Sequence, residues 1–560
     1  MRSGSVAEAR LLYQEVLERF PKNKRAQQGL AVLNGSNRPA ITQSPPPETI
    51  KQILDLYNQG QCELVVERIQ PLTEQYPEAF IVWNILGVAV KGLGKTVEAL
   101  KAFQRVIELQ PDYVDGYNNL GVTLKDRGDL EDAILAFKKA LVLKPNYAEA
   151  LNNLGIVFAD QGKLEDALGC YNKALSIQPA NAIFCNNIGI VLGLQGEFEI
   201  SIKMFKKALA LAPGYADAFN NMGNIKKELG QLDEAIEAYG NALVIKPDYA
   251  EAFNNMGDAY LRKRNFKKGF ELYEWRWKTP QQIGDRLLSS KPEWGGQNGA
   301  RVLVYSEQGI GDEIMFASVI TDLHKICSGL ILSCNKRLIP LFKRSFNEHI
   351  SYEVSKKVVD ESKYDYHIPI GSLPKMLRPN LESFKNSSFG YLIGDKKKAI
   401  VLKEKLLRTD KKRLVGICWY SKSILSNAQE RNISLEQLAC HLNNEETQLV
   451  SLQYGDVSEK ISELKHNHGI DVIQVKEIDN GKNMDGLARL ILACDQIISV
   501  DNATVHLAGA LGVETKLLLP FRHDWRWGDG RTGCYWYDTV EFYKQRQLNN
   551  WGQVLKRLKI

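Results

Sequence analysis

Two short stretches in the second half of the 560-residue chain combine carboxylates, glycines and small polar residues directly after an apolar run. The first is SEQGIGDE, residues 306–313, which follows the run RVLVY. Its two glycines allow a tight turn, and Asp312 falls near the start of a helix that we expect from about Ile314. The spacing matches neither GxGxxG nor GxxxxGK[ST], so a dinucleotide or ATP site is not indicated. On the residues alone, Asp312 is either a reactive carboxylate or a helix N-cap.

The second stretch is VDNATVHLAG, residues 500–509, which follows the apolar run QIISV. A polar cluster between a strand and a helix of small residues can offer backbone N–H groups and the Thr504 hydroxyl to a phosphate. The alternative is structural, with Asp501 as the helix cap and His506 as a buried core residue. Both interpretations remain open from these residues alone.

Short apolar runs alternate with helical patterns from Arg301 onward, which predicts parallel α/β sheets with ligands at the carboxyl ends of the strands. We expect two Rossmann-like lobes, residues 299–394 on the acceptor side and 413–560 on the donor side, joined by a basic linker at 395–412. The predicted strands lie in RVLVYSE, GLILSC, YDYHIPI, RLVGICWYS, QLVSLQYG, DQIISVD and TKLLLP.

The first half of the chain repeats every 34 residues. Columns of small, aromatic and proline residues recur at this period, and it resembles the tetratricopeptide repeat from about residue 48 to 278. Such repeats form an α-solenoid of paired helices. Glycine recurs at two positions of each unit, namely within the first helix (Gly87, Gly121, Gly155, Gly189, Gly223, Gly257) and at the turn between helices (Gly60, Gly94, Gly128, Gly162, Gly196, Gly230).

Both ends of the repeat region depart from this pattern. Residues 1–34 read as partial repeat helices, and 35–47, with SPPP, as a linker that cannot continue a helix. In the last unit Arg264 replaces the turn glycine, and the second helix ends in the aromatic segment YEWRW, residues 273–277. We expect those aromatic residues to dock the solenoid onto the following domain.

Asparagine also follows the repeat period, usually as a pair. Tyr117, Leu120, Gly121 and Leu124 form the buried stripe of one first helix, and the paired asparagines fall beside it. An amide both donates and accepts hydrogen bonds, which suits the backbone of an extended peptide. The alternative is that these side chains only bond to the neighbouring repeat. The candidate peptide-binding residues are Asn84, Asn118, Asn119, Asn152, Asn153, Asn186, Asn187, Asn220, Asn221, Asn254 and Asn255.

Residues 294–551 resemble the heptosyltransferase-like glycosyltransferases of the GT-B fold, especially those fused behind tetratricopeptide repeats. The matching segments are SEQGIGDEIMFAS, GICWYSK, ERNISL, ISVDNATVHLAGALG and LLPFRHDWRW, in this order. The resemblance implies an α-solenoid followed by a GT-B fold of two lobes. The same layout is found in bacterial flagellin glycosyltransferases. The second asparagine of each pair occupies the register of the asparagine ladder that holds the acceptor backbone in the similar O-linked N-acetylglucosamine transferases.

The same resemblance implies roles for individual residues. Asp312 is expected as the general base on the acceptor hydroxyl, and Lys422 as a ligand of the donor diphosphate. Asn502 stands where many relatives have threonine, which puts its donor contact in doubt. The expected donor-binding residues are Gly309, Gly311, Lys422, Arg431, Asp501, Asn502, Ala503, Thr504 and His506.

These features favour an inverting glycosyltransferase that needs neither a metal nor another cofactor, since the sequence has no DxD or HExxH cluster. The expected substrates are a nucleotide-sugar and a protein or peptide hydroxyl. The alternatives are a transferase acting on lipid or polysaccharide, with the repeats recruiting partner proteins, and an inactive repeat scaffold. The sequence does not specify the base, the sugar or the acceptor residue.

Composition narrows the remaining possibilities. A net charge of +6 with mixed signs gives little support to a nucleic-acid partner. No apolar run reaches the length of a membrane span, and the nine cysteines lack CxxC spacing, which favours reduced thiols. We therefore expect a cytoplasmic protein, with oligomers possible through the repeats.

Overall fold

The fold is described from a computed structural model that covers residues 44–279, 286–346, 348–385, 389–408, 410–422, 428–531 and 533–559, together with positions 14, 16, 17 and 30. The partial repeat expected at residues 1–34 and most of the 35–47 linker lie outside these described residues. The chain divides into two compact units, Met1–Val191 and Leu192–Ile560.

The described repeat region consists of fourteen α-helices arranged in sequence as seven pairs. The pairs are α1 (Pro47–Asn58) and α2 (Cys62–Gln75), α3 (Phe80–Gly92) and α4 (Thr96–Leu109), α5 (Val114–Arg127) and α6 (Leu130–Leu143), α7 (Ala148–Asp160) and α8 (Leu164–Ile177), α9 (Ala182–Gln195) and α10 (Phe198–Leu211), α11 (Ala216–Glu228) and α12 (Leu232–Ile245), and α13 (Ala250–Arg262) and α14 (Phe266–Tyr273).

The recurring glycines have distinct structural roles. A Cβ on Gly121 would lie 2.7 Å from the Phe137 ring, so the glycine lets the aromatic side chain of the second helix contact the backbone of the first. The turn glycines all have positive φ, from +74° to +94°. Arg264 keeps the same left-handed backbone, with φ of +60°, although it carries a side chain.

The first α/β lobe contains a four-stranded parallel sheet in the order β3-β2-β1-β4. Helices α15 and α16 follow β1 along the chain, and α17 and α18 follow β2 and β4. The strands are β1 (Arg301–Tyr305), β2 (Gly329–Cys334), β3 (Ser351–Val354) and β4 (Tyr366–Pro369), and the helices are α15 (Ile310–Phe316), α16 (Ile320–His324), α17 (Ile339–Ser345) and α18 (Pro374–Leu377).

The second lobe contains a six-stranded parallel sheet in the order β10-β9-β8-β5-β6-β7. Its central strands are fully buried, which fits a sheet covered on both faces. The strands are β5 (Arg413–Cys418), β6 (Thr447–Ser451), β7 (Val472–Ile473), β8 (Gln496–Val500), β9 (Thr515–Leu519) and β10 (Val540–Lys544), and the helices are α19 (Lys396–Leu406), α20 (Leu435–Leu442), α21 (Ser458–His468), α22 (Met484–Ala493), α23 (Ala503–Ala510) and α24 (Trp551–Leu555).

The predicted fold class is confirmed: a helical repeat solenoid precedes an α/β region with two parallel sheets. Three strands, β3, β7 and β10, were not predicted, because they are short edge strands with polar or partly exposed residues. The helix expected from Ile314 begins instead at Ile310. Asp312 therefore lies within its first turn, where the carboxylate accepts a hydrogen bond from the Gly309 N–H at 3.2 Å.

Candidate functional site

The two motifs of the α/β region pack against each other through a glycine. A Cβ on Gly311 would lie 3.0 Å from the His506 ring and 3.4 Å from the Ala503 Cα. The backbone of the first turn of α15 therefore packs directly against the first turn of α23. The absence of a side chain at residue 311 brings Asp312 close to the polar turn that ends β8.

Asp312 forms an ion pair with an arginine that lies 214 residues later in the chain. Arg526 Nε and Nη2 lie 2.6 Å and 2.5 Å from the Asp312 Oδ1, and the two side chains are only 14% and 18% exposed. The same guanidinium donates from Nη2 to the Gln308 Oε1 at 2.8 Å and from Nη1 to the Asp524 Oδ1 at 2.7 Å. Arg526 thus fixes the carboxylate while the other oxygen, Oδ2, accepts from the Gly309 N–H.

Opposite charges keep Arg526 and Asp524 ionised. Burial alone would lower the pKa of Arg526, but Asp312 and Asp524 raise it well above its usual value. Burial would likewise raise the pKa of Asp524, but the charges of Arg526 and Arg431 lower it instead. Arg526 and Asp524 therefore stay charged at neutral pH.

The end of the last repeat positions the loop that precedes Asp312. Arg276 forms a bidentate pair with Glu307, with Nε and Nη2 at 2.9 Å and 2.8 Å from its two oxygens, and both side chains are almost fully buried. Glu307 also accepts from the Gly371 N–H at 2.8 Å. The next residue, Gln308, has φ of +59° and donates from Nε2 to the Tyr273 hydroxyl at 2.7 Å.

The aromatic segment at the end of the repeats packs in two directions. Tyr273 contacts Trp525 edge to face, with ring centroids 5.3 Å apart, which is the docking expected from the sequence. Trp275 instead stacks on Phe253 of α13 at 4.0 Å. Tyr273 and Arg276 are therefore the residues of this segment that reach the loop beside Asp312.

The turn after β8 is held by hydrogen bonds to β5. Asn502 caps α23 by accepting from the Thr504 N–H at 2.9 Å, and its Nδ2 donates to the Cys418 Sγ at 3.0 Å. Burial raises the pKa of the Cys418 thiol to about 11, although hydrogen bonds from Asn502 and Thr504 act in the opposite direction. Asn502 thus positions the turn with both ends of its amide.

The two cations expected to bind the donor, Arg431 and Lys422, have different surroundings. Arg431 Nη1 is 3.2 Å from the Asp501 Oδ2, and both residues are buried. Lys422 is exposed, and its backbone N–H donates to the Tyr454 hydroxyl. The Lys422 ammonium lies 3.6 Å from where a Cβ on Gly455 would stand. Neither Lys422 nor Arg431 contacts Asp312 directly among the contacts of the described residues.

Two further titratable residues of α15 and α23, Glu313 and His506, are buried. Burial lowers the pKa of His506 to about 4, which Asp501 and Asp312 only partly oppose, so the imidazole is neutral at pH 7. It stacks on Trp527 at 4.8 Å and contacts the Tyr537 hydroxyl at 3.1 Å. Burial raises the pKa of Glu313 to about 7, and its carboxylate accepts from the Asn335 N–H at 2.8 Å.

The sequence analysis named Asp312 and the turn after β8 as site candidates and contained Gln308 only within the stretch SEQGIGDE, but it did not name Arg526 or Asp524. The segment LLPFRHDWRW was noted only as part of a resemblance. An Asp and an Arg two residues apart, with the Arg between two tryptophans, shortly after a predicted strand, are the signal that could have identified them.

The asparagines of neighbouring repeats bond to each other. The second asparagine of one pair donates from Nδ2 to the Oδ1 of the first asparagine in the preceding repeat. In the unit Met1–Val191, these bonds are Asn119 to Asn84 at 3.2 Å, Asn153 to Asn118 at 3.0 Å and Asn187 to Asn152 at 2.8 Å, and in the unit Leu192–Ile560, Asn255 donates to Asn220 at 3.0 Å.

Burial separates the two members of a pair. Asn152, Asn186 and Asn220, the first asparagines of three pairs, are buried, which contradicts the expectation that they face a bound peptide. The second asparagines are only half-buried, and each donating Nδ2 carries a second hydrogen. Asn119 also lines a cavity of about 220 Å³ together with Tyr57 and Lys91. The Oδ1 atom of Asn254, in the last pair, is buried and accepts no hydrogen bond from the described residues.

None of the described helices combines the length and apolar character required to cross a membrane. Within the same part of the chain, no three His, Cys, Asp or Glu side chains cluster in a way that could hold a metal ion.

One curated protein and several solved structures are similar to parts of this chain. Protein FlbA of Caulobacter vibrioides is 30% identical over 311 residues, which cover 52% of this chain and 51% of FlbA. The match therefore spans about half the length of that relative. The crystal structure of MamA is 32% identical, covers 29% of this chain and 98% of its own, and has a TM-score of 0.26. The structure of YrrB, a TPR protein with an unusual peptide-binding site, is 21% identical, covers 33% and 96% of the two chains, and has a TM-score of 0.27.

The family profiles that match this chain all lie in its repeat region. Profiles described as tetratricopeptide or TPR repeats match residues 50–114, 102–134, 123–162, 148–181, 182–215, 204–237 and 223–263. They cover the region in which the helix pairs and left-handed turn glycines recur. Residues 50–263 of this chain are therefore tetratricopeptide repeats.

Proposed function

We propose that this chain is an inverting glycosyltransferase that moves a sugar from a nucleotide-sugar to a hydroxyl group of a protein or peptide held by the repeats. The observation that carries the proposal is the close approach of the Asp312 turn to the turn at residues 501–504, through Gly311. A fixed carboxylate beside a phosphate-binding type of turn is what such a transfer requires.

Asp312 is the proposed general base. As the acceptor oxygen attacks the anomeric carbon, its proton passes to the carboxylate and the bond from that carbon to the diphosphate oxygen breaks. Arg526 holds the carboxylate through Oδ1, and Gly309 holds it through Oδ2. This orientation reduces the freedom that the carboxylate must lose in the transition state.

The leaving diphosphate is the proposed ligand of the turn after β8. The Ala503 N–H at the start of α23, the exposed Lys422 ammonium and the Arg431 guanidinium supply donors and positive charge, whereas the N–H groups of Thr504 and Val505 already bond to Asn502. The Arg431 Nε is buried and has no hydrogen-bond acceptor among the described residues, so it is available to a ligand. The neutral His506 supports the turn by packing rather than by charge.

The repeats are the proposed acceptor-binding element. Their asparagines already bond from one repeat to the next, so the peptide would use the second Nδ2 hydrogen of the half-buried second asparagines. The Arg276–Glu307 pair connects the last repeat to the loop that carries Gln308 and leads to Asp312. A Ser or Thr side chain of a bound peptide is the expected nucleophile, and a flagellin-like acceptor is consistent with the layout that the sequence resembles.

Donor binding can be tested first, because it does not require a known acceptor. The melting temperature of the full chain would be measured with UDP, ADP, GDP, CMP and their sugars, and one of these should stabilise the wild type. The same ligand should stabilise Lys422→Ala much less, since the variant removes an exposed cation without disturbing the core. The matched control is Lys460→Ala, which removes another lysine of the same lobe. No stabilisation by any member of the panel would count against the proposal.

A further inference from the structure

A large cavity lies where the last repeats meet the second lobe. It has a volume of about 1050 Å³ and is lined by the turns after α11 and α13, by residues that follow β9, and by the end of β10. All of its lining residues belong to the unit Leu192–Ile560. None of them is among the residues assigned above to the transfer reaction.

The lining of this cavity is strongly basic. Eight of the eighteen lining residues are lysine or arginine, and two are acidic. Some of the cations are paired: Lys227 lies 3.4 Å from Asp258, and Arg262 lies 3.4 Å from Glu228. The cationic excess that remains favours an anionic ligand.

Buried hydrogen-bond donors in the lining lack acceptors. Gln545 is 1% exposed; its Oε1 accepts from the Phe521 N–H at 3.1 Å, but its Nε2 has no partner among the described residues. Arg262 is 7% exposed, and its Nε is likewise unpaired. A buried donor without an acceptor is costly, so each of these donors favours a ligand that brings an acceptor oxygen.

Lys544 adds a half-buried cation to these donors. Its ammonium has no hydrogen bond or ion pair with the described residues that surround it. Burial and the charges of Arg262 and Arg531 lower its pKa to about 8, while Glu228 and Asp529 act in the opposite direction. An anion beside Lys544 would stabilise its charged form.

Arg264 is unusual in both sequence and conformation. The corresponding turn position is glycine in the six preceding repeats, yet Arg264 adopts the left-handed backbone with φ of +60°. That conformation is unfavourable for a residue that carries a Cβ. Arg264 donates from Nη2 to the Gly533 carbonyl at 3.0 Å and lines the cavity. Here a strained backbone holds a cation, as is common at binding sites.

We propose that this cavity binds the diphosphate or polyphosphate group of a small molecule. Its volume is close to that of small-molecule sites, and Phe521 and Phe542 provide apolar surface beside the donors. Gln545 and Arg262 are buried, so a compact group with several oxygens reaches them more readily than the side chains of an acidic peptide do. This site is separate from the donor site proposed for the transfer.

Inorganic pyrophosphate is a suitable probe, and the full chain is the sample. We expect pyrophosphate to raise the melting temperature of the wild type. Gln545→Glu keeps the acceptor for the Phe521 N–H but replaces the unpaired donor with a negative oxygen, and Lys544→Met removes the unpaired cation. Each substitution should raise the dissociation constant for pyrophosphate at least tenfold. Lys556→Met, which removes an exposed lysine outside the cavity, should leave that constant unchanged.

The donor site is distinguished by a further variant, Lys422→Ala. Pyrophosphate binding that survives in Lys422→Ala and is lost in Lys544→Met supports the cavity. Loss in Lys422→Ala with retention in Lys544→Met and Gln545→Glu overturns the proposal, because the anion then binds at the turn after β8. Stabilisation by a polyglutamate peptide but not by pyrophosphate also overturns it. Circular dichroism of both cavity variants verifies that they fold, and Lys544→Met tests the site independently should Gln545→Glu fail to fold.

Discussion

The buried pair of Arg276 and Glu307 should make a large contribution to stability. Their side chains are 3% and 2% exposed, and Glu307→Gln would leave the guanidinium opposite a neutral amide. Breaking a buried ion pair by removing one charge costs about 3–5 kcal/mol. Arg276 keeps a second carboxylate, Glu274, at 2.8 Å, so we expect the lower end of that range, about 3 kcal/mol.

The same substitution should also affect the site. Glu307 accepts from the Gly371 N–H, and its neighbour Gln308 contacts both Tyr273 and Arg526. A looser loop would leave Asp312 less well oriented. We therefore expect Glu307→Gln to lower the transfer rate as well as the melting temperature.

An exposed pair of the same chemistry provides the control. Arg301 and Asp365 also form a salt bridge in the first lobe, at 2.7 Å, but they are 49% and 43% exposed. Asp365→Asn should therefore change the melting temperature very little. Thermal unfolding followed by circular dichroism would compare the two variants. The reasoning is refuted if Glu307→Gln destabilises the chain no more than Asp365→Asn does.

Three further predictions follow from other contacts. The triple variant Asn119→Ala, Asn153→Ala and Asn187→Ala should lower the free energy of unfolding by about 1 kcal/mol per lost hydrogen bond. It should also weaken acceptor binding. Unchanged acceptor affinity in a binding titration would mean that these residues only stabilise the packing of the repeats. Gly311→Ala should lower the free energy of unfolding by about 1–3 kcal/mol and reduce transfer, because its Cβ would lie 3.0 Å from the His506 ring. Gly309→Ala is the control, since its Cβ would meet only an Asp312 oxygen at 3.5 Å. Equal melting temperatures for the two variants would contradict this. Lys544→Met should be more stable than the wild type at pH 7 without anions, because the lowered pKa of Lys544 means that its charged form destabilises the folded chain. This difference should shrink as the pH rises above 8, where the folded chain releases the proton. Melting curves that show the same difference at every pH would refute this.

Local patterns predicted the repeats well because each helix pair depends on short-range features. The glycines at the turns adopt the left-handed backbone, and Gly121 admits the Phe137 ring. Strands β2 and β5 were predicted from continuous apolar runs. The edge strands β3 and β10 were missed because a partly exposed strand lacks such a run.

The candidate site was predicted only in part because its members come from distant segments. Asp312 and Thr504 lie in recognisable motifs at strand ends, but the pairing of Asp312 with Arg526 spans 214 residues. Nothing in local periodicity specifies such a contact. The cavity at Lys544 was not predicted for the same reason, although the substitution of arginine for glycine at residue 264 marks one edge of it in the sequence.

Asp312 is proposed to take the proton from a protein hydroxyl during sugar transfer. Mass spectrometry of acceptor peptides tests this role after incubation with the full chain and the nucleotide-sugar that raises its melting temperature. We predict a sugar adduct on Ser or Thr with the wild type and with Asp365→Asn, and a rate at least about 100-fold lower with Asp312→Asn. Transfer by Asp312→Asn at the wild-type rate would contradict this account.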